Sequence, residues 1–295
     1  MTLHHEAILN FPLIFTHLCK RLRDDIIVNR LMNWENPVKK LLRDGEPVIG
    51  ITITVPSIEI AAQAANLGFD FLWIEMEHSP ITLETLRGMV LATRGLKALP
   101  FARVPVVDLW TAKRVLDQGV LGVMFPFCST PQLAARAADA THYPPRGKRG
   151  AGAGLATFRW PATEGYYDFA DENILTICVI EEEAAINNID EIAATPGVDV
   201  LFIGTSDLSF SMGFRGEQGH PRHEEAIARI VEAGKKHGKY LGRPAMNSAA
   251  IEKGRQQGFQ FFQAATDTGF LAAGARQILD PLGKKGIESK TKTLY

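Results

Sequence analysis

Phe71 to Pro80 reads FLWIEMEHSP. Its first half is bulky and apolar at successive positions, the pattern of a strand covered on both faces, as in a parallel sheet. Charge arrives only where that strand runs out, as Glu75, Glu77 and His78, and Ser79-Pro80 then starts a loop. Acid and imidazole at the C-terminal edge of a parallel strand is where α/β folds keep their chemistry. Other strands of the same sheet should then bring matching groups to the same edge.

From Pro37 onward, apolar strand candidates alternate with amphipathic helix candidates. The strands are predicted at Val48–Val55, Phe69–Glu77, Leu99–Val104, Gly119–Phe127, Ile174–Glu181, Val198–Gly204, Tyr240–Pro244 and Phe259–Ala265. The helices are predicted at Ile58–Leu67, Leu83–Arg94, Leu109–Gln118 and Gln132–Thr141. Ala184–Ala194, Glu224–His237, Ala249–Gln257 and Gly269–Leu279 complete them. Gly68, Gly119, Gly238 and Gly258 each follow a helix and supply the left-handed conformation that closes one. Eight such units over about 250 residues predict a (β/α)8 TIM barrel. A doubly wound sheet is the competing architecture, but no G-x-G-x-x-G follows the first strand and no Pro/Gly-rich linker splits the chain. The one long irregular stretch, Tyr143–Phe169, carries YPPRGKRGAGAG and reads as a lid or an interface.

The 295 residues are 46% hydrophobic and 22% charged, with a net charge of −1, an ordinary globular composition. That balance gives no electrostatic reason for nucleic acid or membrane partners. Cys19, Cys128 and Cys178 are too few and too scattered for a disulfide framework or a zinc cluster, and Cys178 reads as a small buried hydrophobe. A cytoplasmic location is the expectation. Residues 1–35 read as a poorly ordered leader, too short in its apolar part to span a bilayer and with its basic residues on the wrong side for a signal peptide. Met32 is an alternative start. The barrel is expected over residues 36–283, with a tail over 284–295.

Beyond strand 2, strand 3 delivers Arg103, strand 5 Glu181 and strand 6 Asp207. Strands 7 and 8 end in Arg243-Pro244 and Thr266-Asp267. Two carboxylates with water and substrate oxygens suit a hard divalent cation such as Mg2+ or Mn2+, whereas zinc recruits more His or Cys. Arginine offers a permanently charged planar fork, and an imidazole moves protons near neutrality. Blander roles exist for each: Glu181 and Asp207 as ion-pair partners of Arg103, Asp207 as an N-cap, His78 as a loop cap. Glu182 and Glu183 read as the start of the next helix, and His142, His220, His223 and His237 as structural. Gly150–Gly154 lacks the Lys-Ser/Thr of a phosphate loop. No lysine stands at a strand end, which disfavours Schiff-base chemistry.

The motifs WIEMEHSP, FARVP, AKRVLDQG, YPPRGKRG, VIEEE, NIDEIAATPGVD and FIGTSDLS together resemble the HpcH/HpaI aldolase/citrate lyase family, from about Asn36 to Gly283. The resemblance implies a barrel of the phosphoenolpyruvate/pyruvate type and a class II pyruvate-dependent aldolase, akin to 4-hydroxy-2-oxoheptanedioate aldolases. It implies a divalent metal (Mg2+ or Mn2+, with Co2+ a further option) on Glu181 and Asp207, and an enolate-steadying Arg103. It implies His78 as base, oriented by Asp117, with Glu75 where relatives commonly carry Asp, and backbone N–H groups of Gly204, Thr205 and Ser206 on the pyruvate carboxylate. Assembly as a homo-oligomer, trimer or hexamer, with the last helix exchanged between neighbours, is implied too. The activity implied is reversible cleavage of a 4-hydroxy-2-oxo acid to pyruvate and an aldehyde. Two departures bear on the substrate: Val179 where many members carry glutamine, and Met76 where they carry glycine. The alternatives are a lyase acting on citramalyl-CoA or malyl-CoA thioesters, drawing on Arg146, Lys148 and Arg149, and a non-catalytic binder of metal and oxo acid.

Overall fold

The computed structural model describes residues 34–160, 165–284 and 286. The leader reading, Cys19 included, lies almost wholly outside those residues, as does most of the tail. Eight parallel strands close into a barrel in sequence order: β1 Val48–Ile53, β2 Phe71–Glu75, β3 Leu99–Arg103, β4 Gly122–Phe125, β5 Leu175–Ile180, β6 Val200–Ile203, β7 Tyr240–Pro244 and β8 Phe261–Thr266. Each predicted strand is found, most of them shortened at one or both ends. The apolar flanks pass into turns where the ladder stops.

Alternation along the strands explains why they are apolar throughout. Ile51, Ile53, Leu72 and Ile74 face outward into one core, shared with the helices. Val48, Phe71, Trp73, Phe101, Val179, Phe202 and Phe261 point inward and fill the barrel. Near its N-terminal end the Phe71 ring stacks on Phe261 at 4.4 Å and on Phe101 at 5.2 Å between centroids. Gly50 is glycine for this reason: a Cβ there would stand 2.1 Å from the Phe71 ring.

The helices start on side-chain caps that read directly in sequence. Ser57, Thr82, Asp108, Thr130, Asn247 and Thr266 each accept a hydrogen bond from a backbone N–H in the first turn of the helix that follows. The four glycines after helices all have positive φ. Three helices depart from the sequence expectation. Pro37–Arg43 plugs the N-terminal end of the barrel, Tyr166–Asn173 begins inside the stretch predicted irregular and runs beyond it, and Thr205–Ser211 directly follows β6. The predicted helix Ala184–Ala194 is two, Glu183–Asn187 and Ile189–Ala194, meeting at Asn188.

The stretch after Tyr143 joins the end of helix Pro131–Thr141 to the start of β5, so it runs on the face where strands begin. A lid over its own chain's strand ends is therefore corrected by topology. Trp34, placed in the leader from sequence, packs on Trp160 and Phe169 from this segment. The last helix, Asp267–Leu279, differs from every other long helix because it buries none of its residues. Phe270, Leu271 and Ile278 are 49%, 76% and 67% exposed. Among the described residues no helix is long and apolar enough to cross a membrane.

Candidate active site

At the C-terminal mouth of the barrel a pocket opens between the strand ends. Glu75, Arg103, Glu181 and Asp207 bound it, with Gly204, Thr205 and Ser206 along one wall. Trp73, Val179 and Phe202 lie deeper, beside Thr52 and Gln263.

Register builds the first element. Glu75 and Arg103 are paired residues of β2 and β3, so their inward side chains meet. Arg103 Nε donates to Glu75 Oε2 at 2.6 Å, and Trp73 Nε1 donates to the same oxygen at 3.1 Å. The other oxygen, Oε1, accepts the backbone N–H groups of Glu77 and His78 at 2.8 and 3.0 Å. One carboxylate thus fixes both the arginine and the turn that carries His78. Arg103 and Glu75 are 6% and 2% exposed, and a buried charge left without its partner costs about 3–5 kcal/mol. With Nε held, the terminal nitrogens of Arg103 make no hydrogen bond to any described residue, and the side chain borders the pocket.

Glu77 stands beside this pair, its Oε2 3.2 Å from Arg103 Nε and 3.6 Å from His78 Nε2. That oxygen is buried with no hydrogen-bond partner. Burial pushes the Glu77 carboxyl above its ordinary range, against the pull of Arg103 and His78. His78 itself is half exposed at the rim.

Glu181 follows β5 and is 2% exposed. Its Oε1 accepts the Phe127 N–H at 2.7 Å, from a backbone turn with φ of 51°. Burial raises its pKa to about 7, with the Phe127 N–H and Arg103 opposing and Asp207 and Glu77 adding to the rise. Asp207 lies one turn into helix Thr205–Ser211, not at the strand end, and its carboxylate accepts no hydrogen bond from any described residue. The ion-pair reading of these two acids is corrected: Arg103 pairs with Glu75 and Glu77 instead. So is the N-cap reading, since Gly204 holds the cap position. Glu182 and Glu183 do open the next helix.

The residues fit a hard cation. Both acids border one pocket, Glu181 Oε2 has no protein donor, and a Cβ on Gly204 would stand 2.7 Å from it. Glycine at 204 therefore keeps open the space in front of that oxygen. Among the described residues no cluster of three or more His, Cys, Asp or Glu side chains could hold a metal alone. Two carboxylates would need water and substrate oxygens to complete a shell.

Several sequence readings change here. Gly204 spends its N–H on Ile180 O at 3.1 Å, so it cannot also hold a ligand carboxylate. The N–H groups of Thr205 and Ser206 have no backbone partner among the described residues. Asp117 ends the helix before β4, on the opposite face from His78, and pairs with Arg149 at 3.3 Å. It cannot orient the His78 of its own chain. Met76 packs into the outer core rather than the pocket, whereas Val179 does border the pocket. The basic run is consumed locally: Arg146 pairs with Glu172, Lys148 with Asp139, and buried Arg149 with Asp117. His142 and His223 are buried and bonded to backbone carbonyls, His220 stacks on Phe214, and His237 meets Asp190, all consistent with structural roles. Thr52 and Gln263 were not apparent as site residues; their only signal is a polar residue at an inward position of β1 and β8.

A closed (β/α)8 barrel with acids, an arginine and a histidine gathered at its C-terminal mouth has the layout of a barrel enzyme. The chain belongs to the HpcH/HpaI aldolase/citrate lyase family, whose model matches residues 53–273. A hydroxypyruvate/pyruvate aldolase from Paraburkholderia phytofirmans is 35% identical over 255 residues, covering 84% of this chain and 98% of its own. A 5-keto-4-deoxy-D-glucarate aldolase from Salmonella arizonae is 35% identical over 217 residues, covering 74% of this chain and 85% of its own. The crystal structure of a family member from Burkholderia cenocepacia aligns with a TM-score of 0.78 at 34% identity, over 84% of this chain and all of that one. Membership places the chain among aldolases and lyases that act on small molecules.

The Glu181 shift carries a pH consequence. In the unfolded chain this acid ionises near its ordinary 4.5, in the folded one near 7. The folded state therefore holds the extra proton, and this contribution to stability is lost as pH rises from 4.5 to 7. Urea denaturation in EDTA should show stability falling over that window more steeply in wild type than in Glu181→Gln. Equal slopes would contradict the assignment.

Proposed function

We propose that this protein is a divalent-metal-dependent aldolase that reversibly cleaves a 4-hydroxy-2-oxo acid to pyruvate, or a close analogue of it, and an aldehyde. The observation that carries the reading is the pairing of two pocket acids, Glu181 with one oxygen unbonded and Asp207 with both, with an arginine whose Nε is locked and whose terminal nitrogens bond to no described residue. A Mg2+ or Mn2+ ion on Glu181 and Asp207 (Co2+ would also suit oxygen ligands) would supply Lewis acidity to the 2-oxo group. The names of the two relatives, both aldolases, support the same class of reaction.

The chain's own groups have defined tasks in that chemistry. The N–H groups of Thr205 and Ser206 bind the substrate carboxylate. Arg103, held by Glu75, places fixed positive charge where the enolate oxygen develops, a form of stabilisation that needs no rearrangement during reaction. His78 accepts the 4-hydroxyl proton as the C3–C4 bond breaks; the bonding electrons pass to the enolate and the aldehyde departs. Protonation of the enolate at C3 then gives pyruvate. Glu75 is a positioning residue. It sets Arg103 and the His78 turn together.

Asp117 faces away from its own His78, so any contact between the two requires a second copy of the chain. The exposed apolar face of helix Asp267–Leu279 supports a homo-oligomer in which a neighbour covers it. Arg146 and Lys148 lie on the segment that runs into the start of β5, on the face away from the pocket, which weakens the support they lend to a CoA thioester substrate. The non-catalytic alternative predicts metal binding without turnover, and a coupled assay separates the two.

Pyruvate release from 4-hydroxy-2-oxo acids should be abolished by EDTA, restored by Mg2+ or Mn2+, and lowered by about 10²-fold or more in Arg103→Ala. Absence of release from a broad panel despite metal binding would contradict catalysis. For the assembly, wild type should run as a trimer or hexamer by light scattering, and Leu271→Asp with Ile278→Asp should shift it toward monomer. A monomeric wild type would overturn the oligomer proposal.

A further inference from the structure

Inside the barrel the aromatic side chains form a column that ends beneath Arg103. Phe71 stacks on Phe261 at 4.4 Å, and Phe261 meets Phe202 edge-on at 6.3 Å between ring centroids. Phe202 in turn meets Trp73 edge-on at 4.8 Å. Above them the Arg103 guanidinium lies over the Trp73 ring, its carbon 5.5 Å from the centroid. Trp73 is 3% exposed, so the stiffness of a packed core reaches the pocket through it.

Strand geometry puts this indole within reach of both members of the ion pair. Trp73 stands two residues before Glu75 on β2 and therefore shares its inward side. It is paired with Phe101 on β3, which places it diagonally from Arg103. The indole N–H donates to Glu75 Oε2 at 3.1 Å, the oxygen that also accepts Arg103 Nε. One side chain thus holds the carboxylate by its edge and the arginine by its face.

These two contacts do what the ion pair cannot do by itself. Arg103 makes one hydrogen bond, through Nε, and a single bond fixes a point on the guanidinium but not its plane. The ring face beneath supplies the second constraint. The indole N–H supplies a third, because it stops the Glu75 carboxylate from turning and carrying Nε with it.

We propose that Trp73 is a positioning residue for Arg103, setting the plane of the guanidinium and so the direction in which its terminal nitrogens meet the enolate oxygen. It acts through Arg103 and Glu75, not on the reacting atoms. This inference rests on the aldolase reading above and adds a residue to it. A phenyl ring at 73 would keep the face contact and lose the N–H, whereas an alkyl side chain would lose both.

The test is pyruvate release by the Mn2+-supplemented full-length protein, with Trp73→Phe and Trp73→Leu made in wild type and in Arg103→Ala. Trp73→Phe should lower kcat about tenfold, the effect of one lost hydrogen bond to a charged group. Trp73→Leu should lower it about 10²-fold, the scale of a misplaced catalytic group. KM and Mn2+ affinity should change little in both. In Arg103→Ala neither substitution should lower kcat further, since a residue that acts through another has nothing left to act on. Trp110→Phe, at a 66% exposed tryptophan, should leave kcat unchanged. A residue that only fills the pocket floor would behave differently. It would raise KM on substitution, with the same loss in Arg103→Ala as in wild type, and that result would overturn the proposal. Should Trp73→Leu fail to fold, Trp73→Phe decides on the same two readouts. No release by wild type itself would sink the aldolase reading, and this inference with it.

Discussion

The buried contact between Arg103 and Glu75 is the constraint on which the site depends. Neither charge reaches water freely, so each requires the other, and both are held by paired positions on adjacent strands. Once Glu75 is fixed, its second oxygen accepts the backbone N–H groups of Glu77 and His78 and so holds the turn after β2. The same carboxylate also fixes the Trp73 indole below. A ladder register, one ion pair and three further hydrogen bonds thereby set the arginine, the histidine turn and part of the pocket floor. Glu75, a residue that touches no reacting atom, organises those that do.

The opposite wall follows a different logic. Glu181 is buried with one oxygen satisfied and the other open, and Asp207 has no donor among the described residues. Burial, with the Asp207 charge adding to it, raises the proton affinity of Glu181, and a proton or a cation between the two acids relieves the repulsion. Glycine at 204 leaves room for the larger of these. The cationic arginine on one side and the acids on the other divide the pocket into a part that binds anionic oxygen directly and a part that binds it through an ion.

Much of this was legible in the sequence because a parallel strand buries everything except what stands at its end. FLWIE, LPFAR and the run into VIEEE each expose their charge only on leaving the sheet, so Glu75, Arg103 and Glu181 could be read before any coordinates. Asp207 was legible as a residue but not as a helical one, since Thr-Ser-Asp after glycine carries no periodic signal in so short a helix. Asp117 was legible as a motif but not as a placement: at the end of a helix that precedes a strand it lies on the far face, out of reach of the His78 of its own chain. Thr52 and Gln263 were hidden for the opposite reason: one polar residue in an apolar strand looks like a minor imperfection until the barrel closes β8 onto β1. The exposure of the last helix is not readable from its amphipathic sequence, which matches that of helices that pack; only the family resemblance pointed to it.

The central claim is that metal and oxo acid share one site, with Glu181 and Asp207 supplying too few ligands on their own. Mn2+ titrations followed by electron paramagnetic resonance, with and without saturating pyruvate, test it most directly. The account predicts that pyruvate tightens Mn2+ binding, that Mn2+ tightens pyruvate binding by the same factor, as linkage requires, and that Glu181→Gln abolishes both effects. Pyruvate binding of equal strength with and without Mn2+ would contradict it.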